Sequence, residues 1–399
     1  MTRRRRAALV VIAVAAGAAL AAGIALAAAK PSPPASAPAD LRSLSLKLAE
    51  PYLPQRVNGA TDDYRCFVLD PKLDRDVFVT SASITPGQPS LVHHVILFKE
   101  SGAGAAAAIA KDKATRGKGW TCFGGPNLGA VGETGGDSGG SAGGQRGGGL
   151  PSAPWLSAWV PGRTTDAYPD GIGVLLPKGS RIVMQIHYNL LNGARPDSSS
   201  VVLGIRPATA DLKPVKTLLL AAPIELPCPA GSTSADCDRG TTLINSTIKY
   251  GLQQAFLPTV LLRICSRSLA DYPQRRGDAT DLRTSCDTTL PKAITVRGVA
   301  GHMHLRGRDI RVTLVHASGD EQTLLHIPDW DFHWQDVYYL QQPIDATAGD
   351  TLRVSCVHDN SPSAQPVVGG KPLPPRYVLW GEGTTDEMCL GIVLVTERP

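Results

Sequence analysis

The chain has 399 residues and a formal charge of only +5, with four of its arginines clustered at Arg3 to Arg6. Acids and bases interleave elsewhere, which leaves no basic face for nucleic acid and excludes a nucleic-acid partner. With 43% hydrophobic residues it is a globular rather than a disordered chain, long enough for two core-bearing domains.

From the N-terminus, "MTRRRR" precedes "AALVVIAVAAGAALAAGIALAAA", a basic start followed by an alanine-rich apolar stretch. This reads as an export signal over residues 1–29. It is either cleaved after a pattern such as Ala25-Leu26-Ala27 or kept as a membrane tether through residues 7–29. Both outcomes place the rest of the chain outside the cytoplasm, whether periplasmic, at the cell surface or secreted. "KPSPPASAPAD" opens a Pro-rich tether, residues 30–45. Eight widely spaced cysteines suit that address: Cys66, Cys122, Cys228, Cys237, Cys265, Cys286, Cys356 and Cys389. No two form a CxxC pair, so disulfides are favoured over zinc or redox motifs. Cys228–Cys237 and Cys265–Cys286 are the economical short-range pairings, and connectivity as a whole is left open.

Short β-rich runs then recur between Pro, Gly and Asp punctuation, among them "DVFVTSASI", "VILFK", "RIVMQIHYNL", "VVLGIRP", "AITVRGV", "DIRVTLVHA", "TLRVSCV" and "CLGIVLV". Helical periodicity is scarce. The pattern predicts an all-β chain of antiparallel sandwiches or jelly rolls. A Gly-rich low-complexity loop, 124–149, interrupts the first half, and "RPATADLKPVKT" reads as the connection between halves. The expected domains are 46–208 and 209–399.

Several residues in these strands have the chemistry of ligands. In "SLVHHVILFKE", His93 and His94 are adjacent at the mouth of an apolar run. A regular strand would turn them to opposite faces, so both can serve one site only if the backbone leaves regular β geometry. In "RIVMQIHYNL" alternation puts Val183, Gln185 and His187 on one face, where a buried Gln and His need partners. Taken singly, His187 reads more readily as a core histidine than as a ligand. "VAGHMHLRGRDI" is stronger, because His302 and His304, two apart, share a strand face as one half of a metal site would. Met388 in "TTDEMCLGIVLV" is either core filler or a thioether ligand suited to Cu(I). A disulfide from Cys389 to Cys356 would lock its backbone. His316, His326, His333 and His358 read as structural or surface residues, with His333 in an aromatic core cluster, "DWDFHWQ".

Taken in order, "HHVILF", "QIHY", "GHMH" and "DEMC" resemble the copper type II ascorbate-dependent monooxygenases, the family of peptidylglycine α-hydroxylating and dopamine β-monooxygenases. The resemblance runs from about Asp63 to Val395. It implies two jelly-roll-like β domains facing across a cleft, with one copper in each. His93, His94 and His187 would hold the electron-transfer copper, and His302, His304 and Met388 the copper that binds O2 and oxidises substrate. Gln185 would support the first site. The implied cofactors are two copper ions, ascorbate or an equivalent one-electron donor, and O2 as co-substrate; the partner is a small molecule whose C–H bond is hydroxylated.

One departure bears on the substrate. The peptide-amidating members carry an arginine before the His-x-His pair and an asparagine and a tyrosine after the methionine. This chain has Ala300, Leu390 and Ile392 there, which argues against peptide amidation and for a less polar substrate. Strand alternation turns Glu387 away from that site. A non-catalytic copper-binding or copper-sensing protein on the same fold is the alternative reading, while a zinc hydrolase fits a thioether ligand poorly.

Overall fold

A computed structural model describes residues 40–398 except 59, 129–151, 162, 164, 165, 192 and 369. The expected export segment, most of the tether and most of the Gly-rich loop lie outside the described residues.

Strand formation follows the alternation in the sequence. Arg42–Lys47 alternates half-buried and exposed residues, while Val77–Thr85 and Ile172–Leu176 are largely buried, and with Ser200–Pro207 these strands pair in the order Arg42–Lys47, Ser200–Pro207, Val77–Thr85, Ile172–Leu176. The sheet continues through Lys213–Ala221, Cys389–Glu397, Ile294–Met303 and Val337–Ala346, so one ten-stranded sheet runs through both halves of the chain. Against its first part lies a five-stranded sheet ordered Trp120–Thr121, Asp62–Leu69, Arg181–Asn189, Val92–Glu100 and Trp155–Trp159. A four-stranded sheet of Leu282–Thr289, Thr351–His358, Gly307–Val315 and Glu321–Ile327 accompanies its second part.

Two principal apolar cores fill the layers. One gathers Leu97, Ile182, Met184 and Ile186 with Val79, Val174 and Leu203, and reaches Val215. The other begins at Leu218 and gathers Val299, Met303, Val312, Leu314, Val354 and Val393. The changeover falls inside the strand Lys213–Ala221, and residues 40–399 form one compact unit.

Three features differ from the sequence expectations. Arg42–Lys47, placed in the tether, is an edge strand paired with Ser200–Pro207. Helices form at Gly102–Ala114, Arg239–Tyr250 and Gln253–Ile264. In the last two, Ile244, Ile248 and Phe256 are exposed, so apolar residues do not mark the buried face there. The "DWDFHWQ" aromatics are not a core cluster: Trp334 is 72% exposed and His333 is exposed too.

The cysteines pair as Cys66–Cys122, Cys228–Cys237, Cys265–Cys286 and Cys356–Cys389. No helix among the described residues is long and apolar enough to cross a membrane.

Candidate metal centre

The central strand Arg181–Asn189 of the five-stranded sheet pairs with Asp62–Leu69 on one side and Val92–Glu100 on the other. Its register with the latter runs Ile186 to Val95, His187 to His94, and then jumps to Tyr188 with Val92. His93 is the extra residue of a β-bulge. The bulge removes the alternation that would otherwise turn neighbouring rings to opposite faces. His93 Nδ1 lies 3.2 Å from His94 Nδ1 and 3.0 Å from His187 Nδ1. The ligand atoms of the three residues lie within 4.8 Å of one another.

His187 is fully buried and its orientation is held from two sides. Its Nε2 lies 2.8 Å from Asp62 Oδ1, and the Tyr64 ring stacks on it at 4.0 Å between centroids. Since a carboxylate accepts, Nε2 carries the hydrogen and Nδ1 presents its lone pair towards His93. Burial would raise the Asp62 carboxyl, but hydrogen bonds from His187, Thr384 and Thr61 outweigh it and hold the group below the usual carboxylate range. Burial, reinforced by His187, pushes both His93 and His94 well below the ordinary imidazole range. They are therefore neutral, the form in which imidazole binds a metal.

The second set is built on the junction of Ile294–Met303 and Cys389–Glu397, where His302 lies opposite Leu390 and Met303 opposite Cys389. His302 Nδ1 is 2.7 Å from Gln335 Oε1, and His304 Nδ1 is 3.2 Å from the Asp386 carbonyl. Both acceptors leave Nε2 free, and the two rings are 5.1 Å apart. Burial lowers both imidazoles, His304 the more strongly because His302 adds to it. Met388 is joined to this pair through Glu387. The fully buried Glu387 carboxylate accepts the backbone N–H groups of His304, Met388 and Arg306. It fastens the backbones of two predicted ligands together. Burial raises it to about 7. The Cys356–Cys389 bridge anchors the next residue along.

Phe332 stands between the two sets. Its ring stacks on His93 at 4.8 Å and approaches the His304 ring at 6.0 Å. The aromatic loop thus lines the space between the histidines, and Trp330 Nε1 donates to the His304 carbonyl.

Residues 273–395 match the family described as "Copper type II ascorbate-dependent monooxygenase, C-terminal domain". Over these residues the chain is similar to the copper type II ascorbate-dependent monooxygenase family. The chain is 28% identical over 117 residues to DBH-like monooxygenase protein 1 of Homo sapiens, and 29% identical over 108 residues to that of Mus musculus. These alignments span 29% and 27% of this chain but only 17% and 16% of the relatives, so most of each relative has no counterpart in the match. Among solved structures, a cycloalternan-forming enzyme from Listeria monocytogenes superposes at a TM-score of 0.17 and 10% identity, covering 54% of this chain and 14% of its own, and carries no argument.

The residues present suit the family's metal. Three ring nitrogens facing one point cannot all satisfy one another, because a single hydrogen serves at most one pair. A metal about 2.0–2.1 Å from each would separate them by about 3 to 4 Å, in keeping with the observed spacing. Two imidazoles with free Nε2 atoms, together with a methionine whose backbone shares the Glu387 carboxylate with His304, make a donor set that suits the softer Cu(I). Gln185, predicted to support the first site, is buried and gives its Nε2 to the Cys122 carbonyl at 2.6 Å, which ties the site strand to the disulfide-anchored segment. Asp62, Tyr64 and Phe332 went unread in the sequence. The "DDY" before Cys66 was a legible signal for the first two, as buried acids opening a strand need partners. His358 is fully buried, is lowered to about 4 by that burial, and its Nε2 lies 3.4 Å from the Met388 carbonyl.

Proposed function

We propose that the chain is an exported two-copper monooxygenase that hydroxylates a substrate C–H bond with O2 and a one-electron donor such as ascorbate. The observation that carries this reading is the convergence of His93, His94 and His187 on one point, facing the His302/His304 pair across Phe332. When bound, copper supplies one-electron redox chemistry and O2 activation. The chain supplies fixed neutral imidazoles, a methionine held by Glu387, and a carboxylate that orients His187.

The substrate is apolar in this reading. Strand register sets Leu390 opposite His302 and Ile392 opposite Ala300, so all four share one sheet face. No cation stands among them to bind a peptide carboxylate. Four disulfides fit an oxidising compartment and support export.

Metal analysis of copper-loaded protein, coupled to O2 uptake with ascorbate, tests the proposal. Two coppers per chain and ascorbate-driven O2 consumption are expected. One copper or fewer, or retention of zinc in preference, rules out the two-copper reading. Two coppers without O2 uptake would favour a copper-binding protein.

A further inference from the structure

The segment Glu382–Met388 is tied to both halves of the chain. From the strand Asp62–Leu69, the Tyr64 hydroxyl donates to the Glu382 carbonyl at 2.6 Å. Thr384 Oγ1 donates at 2.8 Å to Asp62 Oδ1, the same oxygen that receives His187 Nε2. From the other half, Arg306 and Arg376 donate to the Thr385 carbonyl at 2.7 and 2.9 Å. His304 Nδ1 then meets the Asp386 carbonyl, and the Glu387 carboxylate takes the N–H groups of His304 and Met388. Asp62 and Thr384 are buried at 1% and 5% exposure, so water does not compete for their hydrogen bond. Gly383 has no room for a Cβ, which would strike the Tyr250 hydroxyl and the Asp386 carboxylate.

We propose that Asp62 and Thr384 form a joint that sets the spacing between the two ligand sets, with Glu382–Met388 as the strap. Both are positioning residues. The path from the His187 ring through Asp62 and Thr384 reaches the His304 acceptor, Asp386, within two residues and Met388 within four. The Tyr339 hydroxyl on Asp166 also joins the halves but touches no predicted ligand, and Phe332 meets His93 and His304 through ring contacts alone, without a hydrogen bond to either. The joint therefore couples the orientation of one imidazole in the first set to the backbone that carries the second. This extends the proposed function, because it assigns a chain element to holding the two sites in register.

Thr384→Val removes the hydroxyl at nearly constant volume and leaves Asp62 on His187, whereas Thr384→Ser keeps the hydroxyl. In hydrogen–deuterium exchange on the metal-free full chain, Thr384→Val is expected to raise exchange about tenfold in residues 62–66 and 382–388 together, the scale of one lost charge-assisted hydrogen bond. Thr384→Ser should restore wild-type exchange. Tyr64→Phe keeps the ring on His187 and cuts the second tie, and a paired rise is expected there too. In copper-loaded protein, the Cu(II)–Cu(II) distance distribution from pulsed dipolar EPR should broaden in Thr384→Val and narrow again in Thr384→Ser. Wild-type exchange in both segments of Thr384→Val overturns the joint, whatever the copper content. Fewer than two coppers in the wild type overturns the proposed function instead, and the exchange result still decides the joint.

Discussion

His93 Nδ1 lies 3.0 Å from His187 Nδ1 although the two residues are 94 positions apart and His93 has no partner in the strand ladder. The bulge at His93 brings this about, since it places an adjacent pair of histidines and a cross-strand third on one point. Each of the two sets should then hold its own metal. His187→Ala and Met388→Ala are each expected to reduce bound copper from two per chain to about one, and each should abolish ascorbate-driven turnover. Metal analysis and O2 uptake on the two variants check this, and turnover surviving in Met388→Ala would remove it from the second set.

Asp62 fixes which nitrogen of His187 faces His93. Asp62→Asn is nearly isosteric, but its amide can turn a donor towards Nε2 and disturb the tautomer. Copper affinity at the first site should fall by about 10–100-fold, the usual scale for a lost partner of a ligating histidine. Competition titration with a copper chelator measures it, and the second site should change less.

Phe332 covers the face of His93 and separates it from His304. Phe332→Ala should leave two coppers bound while exposing the first to small anions. Azide titration followed by Cu(II) absorption is expected to show binding several-fold tighter than in the wild type; unchanged azide affinity would show that the ring does not screen the site.

Glu100, buried at the end of the strand Val92–Glu100, has its carboxyl raised by that burial to about 7. The folded state therefore holds a proton that the unfolded state releases near 4.5, and between those values folding takes up protons. Stability should fall as pH rises from about 4.5 to about 7 and level off above. Glu100→Gln should match the wild type near pH 4 and exceed it by about 1–2 kcal/mol at pH 8, allowing for partial solvation of the carboxylate. Denaturant melts at the two pH values read this directly.

The Cys356–Cys389 bridge closes a loop of 33 residues and ends beside Met388. Replacing both cysteines with serine should cost about 2–4 kcal/mol and weaken copper binding at the second site more than at the first. Thermal melts with metal analysis separate the two effects.

Much of the site was legible before any coordinates. His302 and His304 share a face because a strand has a period of two, and Val183, Gln185 and His187 alternate with Ile182, Met184 and Ile186 for the same reason. The short-range bridges Cys228–Cys237 and Cys265–Cys286 followed from spacing. The helices were not legible. Gly102–Ala114 is alanine-rich, without a polar period, and Arg239–Ile264 carries apolar residues on its wet side. The local "DDY" signals a buried acid at Asp62 but not its partners, since His187 and Thr384 lie 125 and 322 positions away. His333 was misplaced because an aromatic-rich run is identical in composition whether it fills a core or lines an opening.

By itself, the sequence determined the β-rich architecture, the identity of the candidate ligands and the even set of cysteines. Each follows from side-chain chemistry or from a period that local backbone geometry imposes. The tertiary structure decided that His93 bulges, that Asp62 orients His187, that Phe332 stands between the histidine sets, and that Glu382–Met388 is tied to both halves. These depend on the register and packing of strands distant in the chain, where a shift of one residue reverses every facing side chain.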